Sequence, residues 1–174
     1  AIRHESICYY PELAKRSLVV GSFGKTFHAT GWKVGFILAP ELLTAEVRKV
    51  HQFVTFATNT PMQYAISEYI KSKDNYNYVP QFYQQKRDFF AKALEGSRFE
   101  LTNCKGTYFQ LLKYNQISDE NELDFAIRLT KEFGVATVPI SPFFHDKRNH
   151  QTLRVCFAKG EETLLKAAEI LKKI

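Results

Sequence analysis

The sequence is poor in cysteine, in methionine and in long apolar runs, and each scarcity excludes a class of protein. Its 174 residues contain three cysteines, Cys8, Cys104 and Cys156, and one methionine. The cysteines match no paired metal motif and leave an odd thiol, which argues against a disulfide framework and suits a reducing cytoplasm. No apolar run is long enough to span a bilayer, and no signal-peptide pattern appears, so we expect no membrane partner.

Clustered positive charge is also lacking, although the net charge is +6. Basic residues are spread beside acidic ones, as in Lys86–Asp88, and no basic run carries interleaved aromatic residues that would stack on bases. We therefore expect a solvated surface and no nucleic-acid partner. Internal repeats are absent, and no metal site is expected because the histidines show no ligand spacing. The histidines considered are His28, His51, His145 and His150.

What the chain does contain is a dense motif, Ser22–Gly35, directly after the apolar run Leu18–Val20. Lys25 lies inside the motif, with Ser22 three residues before it and Lys33 eight residues after it. Aromatic residues also stand close to this lysine in the sequence: Phe23, Phe27 and Trp32. An isolated lysine is normally a solvated surface charge, but this combination favours another role.

A lysine amine is a nucleophile only when part of it is neutral, and apolar neighbours or a second cation favour the neutral form. Lys25 meets both conditions if Lys33 folds back towards it. Ser22 and Lys33 would then offer a hydroxyl and an ammonium to one anion, although Ser22 can equally close a turn. An amine beside an anion pocket suits a phosphate-bearing aldehyde held as a Schiff base, which is pyridoxal phosphate.

Arg154 is the second chemical feature, because it interrupts the apolar strand Leu153–Phe157. A guanidinium in such a strand carries a desolvation penalty unless it meets an anion, and its planar fork matches a carboxylate. The alternative is an arginine at a strand edge that points at solvent or pairs with Asp146. The residues alone favour that alternative.

Strands and helices alternate along the chain, which predicts a sheet backed by helices. The polar run Lys71–Asn77 is the best linker, so we place a domain boundary there and expect domains at 1–77 and 78–174. Predicted strands cover residues 18–20, 34–38, 99–101, 108–112, 135–140 and 152–157. Predicted helices start near Glu41, at an N-cap on Thr60 followed by Pro61, and near Pro80, Asp119 and Glu161.

The motif resembles the lysine signature of fold-type I, class I/II pyridoxal-phosphate aminotransferases, in which Ser-x-x-Lys precedes Gly-Trp-Arg/Lys-x-Gly. Its versions here are most similar to those of the methionine aminotransferase and kynurenine/glutamine transaminase branch. The likeness covers essentially the whole chain, in order. Further segments that carry it are His51–Phe56, Asn59–Pro61, Gln85–Asp88, Gly106–Phe109 and Leu153–Lys159.

The resemblance implies an α/β fold made of the C-terminal part of the large transferase domain plus the small α/β C-terminal domain. It implies that Lys25 is the catalytic, cofactor-bearing lysine, that Ser22 and Lys33 bind the cofactor phosphate, and that Arg154 binds the substrate α-carboxylate. Methionine or another large neutral amino acid would be the donor, a 2-oxo acid the acceptor, and a homodimer the assembly. Two alternatives stay open, a pyridoxal-phosphate carbon–sulfur lyase and a non-catalytic C-terminal fragment.

Family members are more than twice as long, and their lysine lies past the middle of the chain. The resemblance therefore implies that this sequence is the C-terminal part of a longer protein. An aspartate on the pyridine nitrogen and a tyrosine on the cofactor's 3′ oxygen would lie before Ala1. We accordingly expect weak catalysis, or none, from these residues alone.

Overall fold

The computed structural model describes residues 4–174, and the chain separates into two compact units, Ala1–Val79 and Pro80–Ile174. The sequence places the domain boundary after residue 77. The assignment of residues 1–77 to a large cofactor-binding domain and of residues 78–174 to a small α/β domain stays a prediction.

The first unit contains a two-stranded antiparallel sheet and four α-helices within its described residues. The strands are β1 (Val19–Ser22) and β2 (Gly35–Leu38). The helices are α1 (Pro11–Ala14), α2 (Phe23–Thr26), α3 (Glu41–Val54) and α4 (Thr60–Tyr69).

The start of α4 corrects a prediction made from the sequence. Asn59, and not Thr60, is the N-cap, because the Asn59 side chain accepts a hydrogen bond from the Met62 N–H at 3.2 Å. Pro61 therefore occupies the second helical position. Proline is tolerated there because the first N–H groups of a helix have no partner within it.

The register of β1 and β2 depends on two glycines. Gly21 lies opposite Phe36, and a Cβ on Gly21 would come within 2.3 Å of the Phe36 ring. Ser22 lies opposite Gly35, where a Cβ would come within 2.5 Å of the Gly21 carbonyl oxygen. Close approach of the two strands therefore requires glycine at position 35, where the obstacle is a backbone atom, and at position 21 unless the Phe36 ring moves.

The second unit is a four-stranded antiparallel sheet with strand order β3-β4-β6-β5. Its strands are β3 (Glu100–Leu101), β4 (Phe109–Lys113), β5 (Val138–Pro139) and β6 (Thr152–Cys156). The helices of this part of the chain are α5 (Val79–Ala93), α6 (Glu122–Phe133) and α7 (Glu161–Leu171).

One face of this sheet forms the core. Alternate residues of β4 and, from Leu153 onward, of β6 are buried, and among them Leu112 and Leu153 pack with Phe125 of α6 and Leu164 of α7 in one hydrophobic cluster. On the opposite face Arg154 is half-buried, although Thr152 at the start of β6 is buried there. The two-residue period thus places the arginine away from the core.

The predicted helix-backed sheet is confirmed, and most of its strands differ from the predicted limits by one or two residues. The strand predicted at 135–140 differs most, because only Val138–Pro139 pair with β6. Pro139 has no N–H to extend the ladder at its C-terminal end. Among residues 4–174, no helix combines the length and the apolar character that crossing a membrane requires.

Candidate functional site

The structure brings Ser22, Lys25 and Lys33 to one surface concavity of about 290 Å³. Ser22 ends β1, Lys25 lies in α2, and Lys33 stands two residues before β2. A hydrogen bond of 3.2 Å from the Phe23 N–H to the Val34 carbonyl closes the base of the connecting loop. The remaining residues that line the concavity are Gly24, Thr30, Val34 and Gly35.

Ser22 is the N-cap of α2, and its Oγ accepts a hydrogen bond from the Gly24 N–H at 3.2 Å. The turn-closing role considered from the sequence is therefore real. It does not conflict with anion binding, because a hydroxyl that accepts one hydrogen bond still has its own hydrogen to donate. Oγ is also held in a fixed position by this contact.

Lys25 and Lys33 are both exposed, and neither takes part in an ion pair of residues 4–174. The expectation that aromatic neighbours enclose Lys25 is wrong for this chain. Phe23 stacks on Phe27, with 5.7 Å between the ring centroids, and Trp32 is 41% exposed. The two ammonium groups are thus open to an incoming anion.

These residues fit a phosphate. The Lys33 ammonium and the Ser22 hydroxyl can both donate hydrogen bonds to phosphate oxygens, and the Lys25 amine lies in the same concavity. Gly24 permits the close approach of Thr30 in this concavity, since a Cβ on Gly24 would lie 3.1 Å from the Thr30 Cα. Within residues 4–174 no group of three or more histidine, cysteine or acidic side chains is placed to hold a metal ion.

Arg154 belongs to the second unit, where it lies on β6 opposite Leu111 of β4 and Val138 of β5. Its guanidinium carbon lies 4.1 Å from the centroid of the Phe109 ring and 5.2 Å from that of Phe143. Such cation–π contacts stabilise the charge without neutralising it.

The hydrogen bonding of Arg154 is incomplete, because its buried Nε has no partner among the described residues. The pairing with Asp146 considered from the sequence does not occur, since the Asp146 carboxylate accepts from Arg148 Nε at 2.7 Å. Arg148 holds the pKa of this carboxyl below its usual value through backbone and side-chain hydrogen bonds. A buried polar atom without a partner is rare, and an anion would satisfy it.

The sequence did not single out Thr30, Phe109 or Glu122. Thr30 lines the concavity, Phe109 covers the Arg154 guanidinium, and Glu122 is a buried carboxylate that binds backbone N–H groups near Arg154. Glu122 had one local signal, its place just after a helix N-cap. The sequence does not show which distant backbone N–H groups this carboxylate binds.

Comparison with known proteins places these features in context. A family model described as aminotransferase class I and II matches residues 5–171. The methionine aminotransferase of Escherichia coli K12 is 46% identical over 172 residues, which cover 98% of this chain and 45% of that protein. The kynurenine–oxoglutarate transaminase of Dictyostelium discoideum is 32% identical over 98% of this chain and 44% of its own length. The chain thus spans somewhat under half the length of these curated relatives.

Solved structures show the same partial match. The crystal structure of YbdL from Escherichia coli, identified with a methionine aminotransferase function, superposes with a TM-score of 0.94 at 46% identity. It matches 98% of this chain and 46% of its own. An N-succinyldiaminopimelate aminotransferase from Mycobacterium tuberculosis superposes with a TM-score of 0.88 at 28% identity, over 99% of this chain and 45% of its own.

Proposed function

The chain belongs to the class I and II aminotransferase family, and we propose that the protein containing it transfers an amino group from an amino acid to a 2-oxo acid with pyridoxal phosphate. The observation that carries this proposal is the single concavity lined by Ser22, Lys25 and Lys33. A primary amine beside a second cation and a hydroxyl is the chemistry that a phosphate-bearing aldehyde requires.

Each of these three side chains has a role in the proposed reaction. Lys25 holds the cofactor through Nζ, while the Ser22 hydroxyl and the Lys33 ammonium hold its phosphate. Bound pyridoxal phosphate supplies an electron sink for the negative charge that develops on the substrate Cα. When its amine is free, Lys25 acts as the general base that takes the proton from that Cα.

Arg154 holds the α-carboxylate of the amino acid and of the 2-oxo acid in this proposal. Its unpartnered Nε and its lack of a carboxylate partner among the described residues support the role. A guanidinium binds a carboxylate through two parallel hydrogen bonds, which fixes the orientation of the substrate as well as its affinity.

Methionine or another large neutral amino acid is the donor that we propose. Its support is the 46% identity to a methionine aminotransferase over 98% of this chain. We also propose a homodimer, which rests on the family resemblance, and a cytoplasmic location. The three free cysteines suit a reducing compartment.

Borohydride reduction of the cofactor-loaded whole protein, followed by peptide mapping, tests the role of Lys25. We expect the pyridoxyl label on Lys25 and its loss in Lys25→Ala. Lys71→Ala is the matched control, because Lys71 is an exposed lysine that pairs only with Glu68 on the surface. A label on a different lysine of the unmodified protein would overturn the assignment.

A product assay separates amino transfer from the carbon–sulfur lyase alternative. With methionine and a 2-oxo acid, we expect the 2-oxo acid of methionine and the amino acid of the acceptor in equal amounts. With a cysteine conjugate, pyruvate and ammonia as the dominant products would favour the lyase. The 174-residue chain should show weak activity or none in either assay, as a non-catalytic C-terminal fragment would.

A further inference from the structure

The loop of residues 141–151, called here the 141–151 loop, leads into β6 and is anchored by one buried carboxylate. Glu122, the first residue of α6, is 1% exposed. Its Oε2 accepts from the Ser141 N–H at 2.5 Å, and its Oε1 accepts from the N–H groups of His150 at 3.0 Å and Thr152 at 3.2 Å. A single side chain therefore binds the backbone at both ends of the loop.

The contacts of Glu122 satisfy both oxygens of its buried carboxyl group. Three backbone N–H groups donate to them, so the side chain is held in place at this anchor. Burial, together with the nearby Glu122 and Glu120, raises the pKa of the adjacent Tyr114 to about 12. The Tyr114 hydroxyl stays protonated and donates to the Glu120 carbonyl at 2.8 Å.

The loop places an aromatic ring against Arg154. Phe143 ends the 3-10 turn that begins at Ser141, the residue whose N–H Glu122 binds. Its ring lies 5.2 Å from the Arg154 guanidinium carbon, on a side chain that is 66% exposed. Since Phe143 has little packing of its own, its position depends on the anchoring of the loop.

We propose that Glu122 is a positioning residue for the carboxylate site of Arg154. By holding both ends of the 141–151 loop, it keeps Phe143 beside the guanidinium, limits the access of water and leaves the arginine fork aimed at the substrate carboxylate. This inference rests on the proposed function, because it presumes that Arg154 binds that carboxylate. Glu122 itself contacts neither substrate nor cofactor in this scheme.

The test is a double-mutant cycle in the whole, cofactor-loaded protein, with 4-(methylthio)butanoate as a carboxylate probe that has no amino group to react. We expect Glu122→Gln and Phe143→Ala each to weaken probe binding about tenfold, the strength of a partly desolvated cation–π contact. The double variant should bind no more weakly than Glu122→Gln, because both changes remove the same ring from Arg154. The KM for methionine should rise more than kcat falls.

Asn121→Ala is the matched control, since Asn121 caps the same helix and binds the N–H groups of Leu123 and Asp124 but not the 141–151 loop. It should lower the thermal midpoint and leave probe affinity unchanged. If Glu122→Gln does not fold, Glu122→Asp replaces it, because aspartate keeps the charge but does not reach all three N–H groups. The same loss is then expected.

The outcomes separate the two proposals. Arg154→Gln with unchanged probe affinity would overturn the carboxylate site itself, and with it this inference. Loss of binding in Arg154→Gln, together with unchanged binding in the Glu122 variant or additive effects in the cycle, would overturn only the role of Glu122.

Discussion

Lys33 has a left-handed backbone, with φ 54° and ψ 40°, directly after the 3-10 turn Thr30–Trp32. This conformation costs a residue with a Cβ roughly 1 kcal/mol, and glycine would adopt it freely. A strained residue in a concavity is a reason to look for function. We interpret the lysine as retained for its ammonium, which the turn directs to the same concavity as Ser22 and Lys25.

Lys33→Asn separates the charge of this residue from its backbone. Asparagine tolerates the left-handed conformation, so the fold should be kept while the cation is lost. We expect the affinity for pyridoxal phosphate to fall at least about tenfold in the whole protein, because a charge-assisted hydrogen bond contributes about 1.5–3 kcal/mol. Absorbance titration with the cofactor measures the effect.

Lys147→Asn is the control for that variant, since Lys147 also has a positive φ, 51°, but lies in the exposed 141–151 loop of the second unit. Its cofactor affinity should not change. Equal affinities of the Lys33 variant and the unmodified protein would mean that the ammonium does not bind the phosphate.

For individual residues, the sequence was informative where the functional side chains lie close together along the chain. The sequence allowed Ser22, Lys25 and Lys33 to meet on the condition that Lys33 folds back, and the three residues line one concavity. Their roles in binding and catalysis stay a prediction. Glu122 was missed because its partners, which include His150 and Thr152, are distant in sequence and are backbone groups. Every residue except proline has a backbone N–H, so the identity of the partner residues gives no sign that their N–H groups bind a carboxylate.

Among the elements, the pair β1–β2 positions the concavity. Ser22 ends one strand and Gly35 begins the other, directly opposite. A Cβ on Gly35 would lie 2.5 Å from the Gly21 carbonyl oxygen, a backbone atom that cannot rotate away. A Cβ on Gly21 would meet the Phe36 ring instead, and a ring can turn or be shortened.

We therefore expect Gly35→Ala to separate the strands and to abolish trapping of the cofactor on Lys25 by borohydride. Gly21→Ala should be milder, and Phe36→Leu in the same chain should restore it by removing the ring. Gly31→Ala is the control in the same loop, because a Cβ there meets nothing within 4 Å. Normal trapping in Gly35→Ala would show that the close pairing of β1 and β2 is not required.

The observed helices and strands show which structural features can be predicted from local sequence signals. The helix α6 ends at Phe133, and Gly134, with φ 72°, is a C-cap signal that acts locally. The strands predicted at 99–101 and 108–112 are present as β3 and β4, which pair as neighbours in the chain. The short helix α2 was not among the predicted helices, because a four-residue helix has no periodicity to detect.

Across the whole chain, burial is uneven. In the described residues of the first unit, only Gly24, Val34 and Ile66 are buried, whereas the second unit has a continuous core. The helix α3 and the residues after it carry strongly exposed apolar side chains: Leu42 at 83%, Val50 at 62%, Phe53 at 86%, Val54 at 77% and Phe56 at 85%. A surface of this kind is unusual for a protein that folds alone.

The two units should consequently differ in stability within the 174-residue chain. Hydrogen exchange is slowest where amides are covered by buried apolar contacts, so we expect the slowest amides in β4, β6, α6 and α7 and fast exchange throughout residues 4–79. Leu153→Ala removes a fully buried side chain and should lower the free energy of unfolding of the second unit by about 2–5 kcal/mol. Exchange in that unit should therefore become faster. Leu42→Ala, at an exposed position of α3, is the matched control and should change little. Equally slow exchange in both units would contradict this account, because it would require that three buried residues stabilise the first unit as well as a complete core stabilises the second.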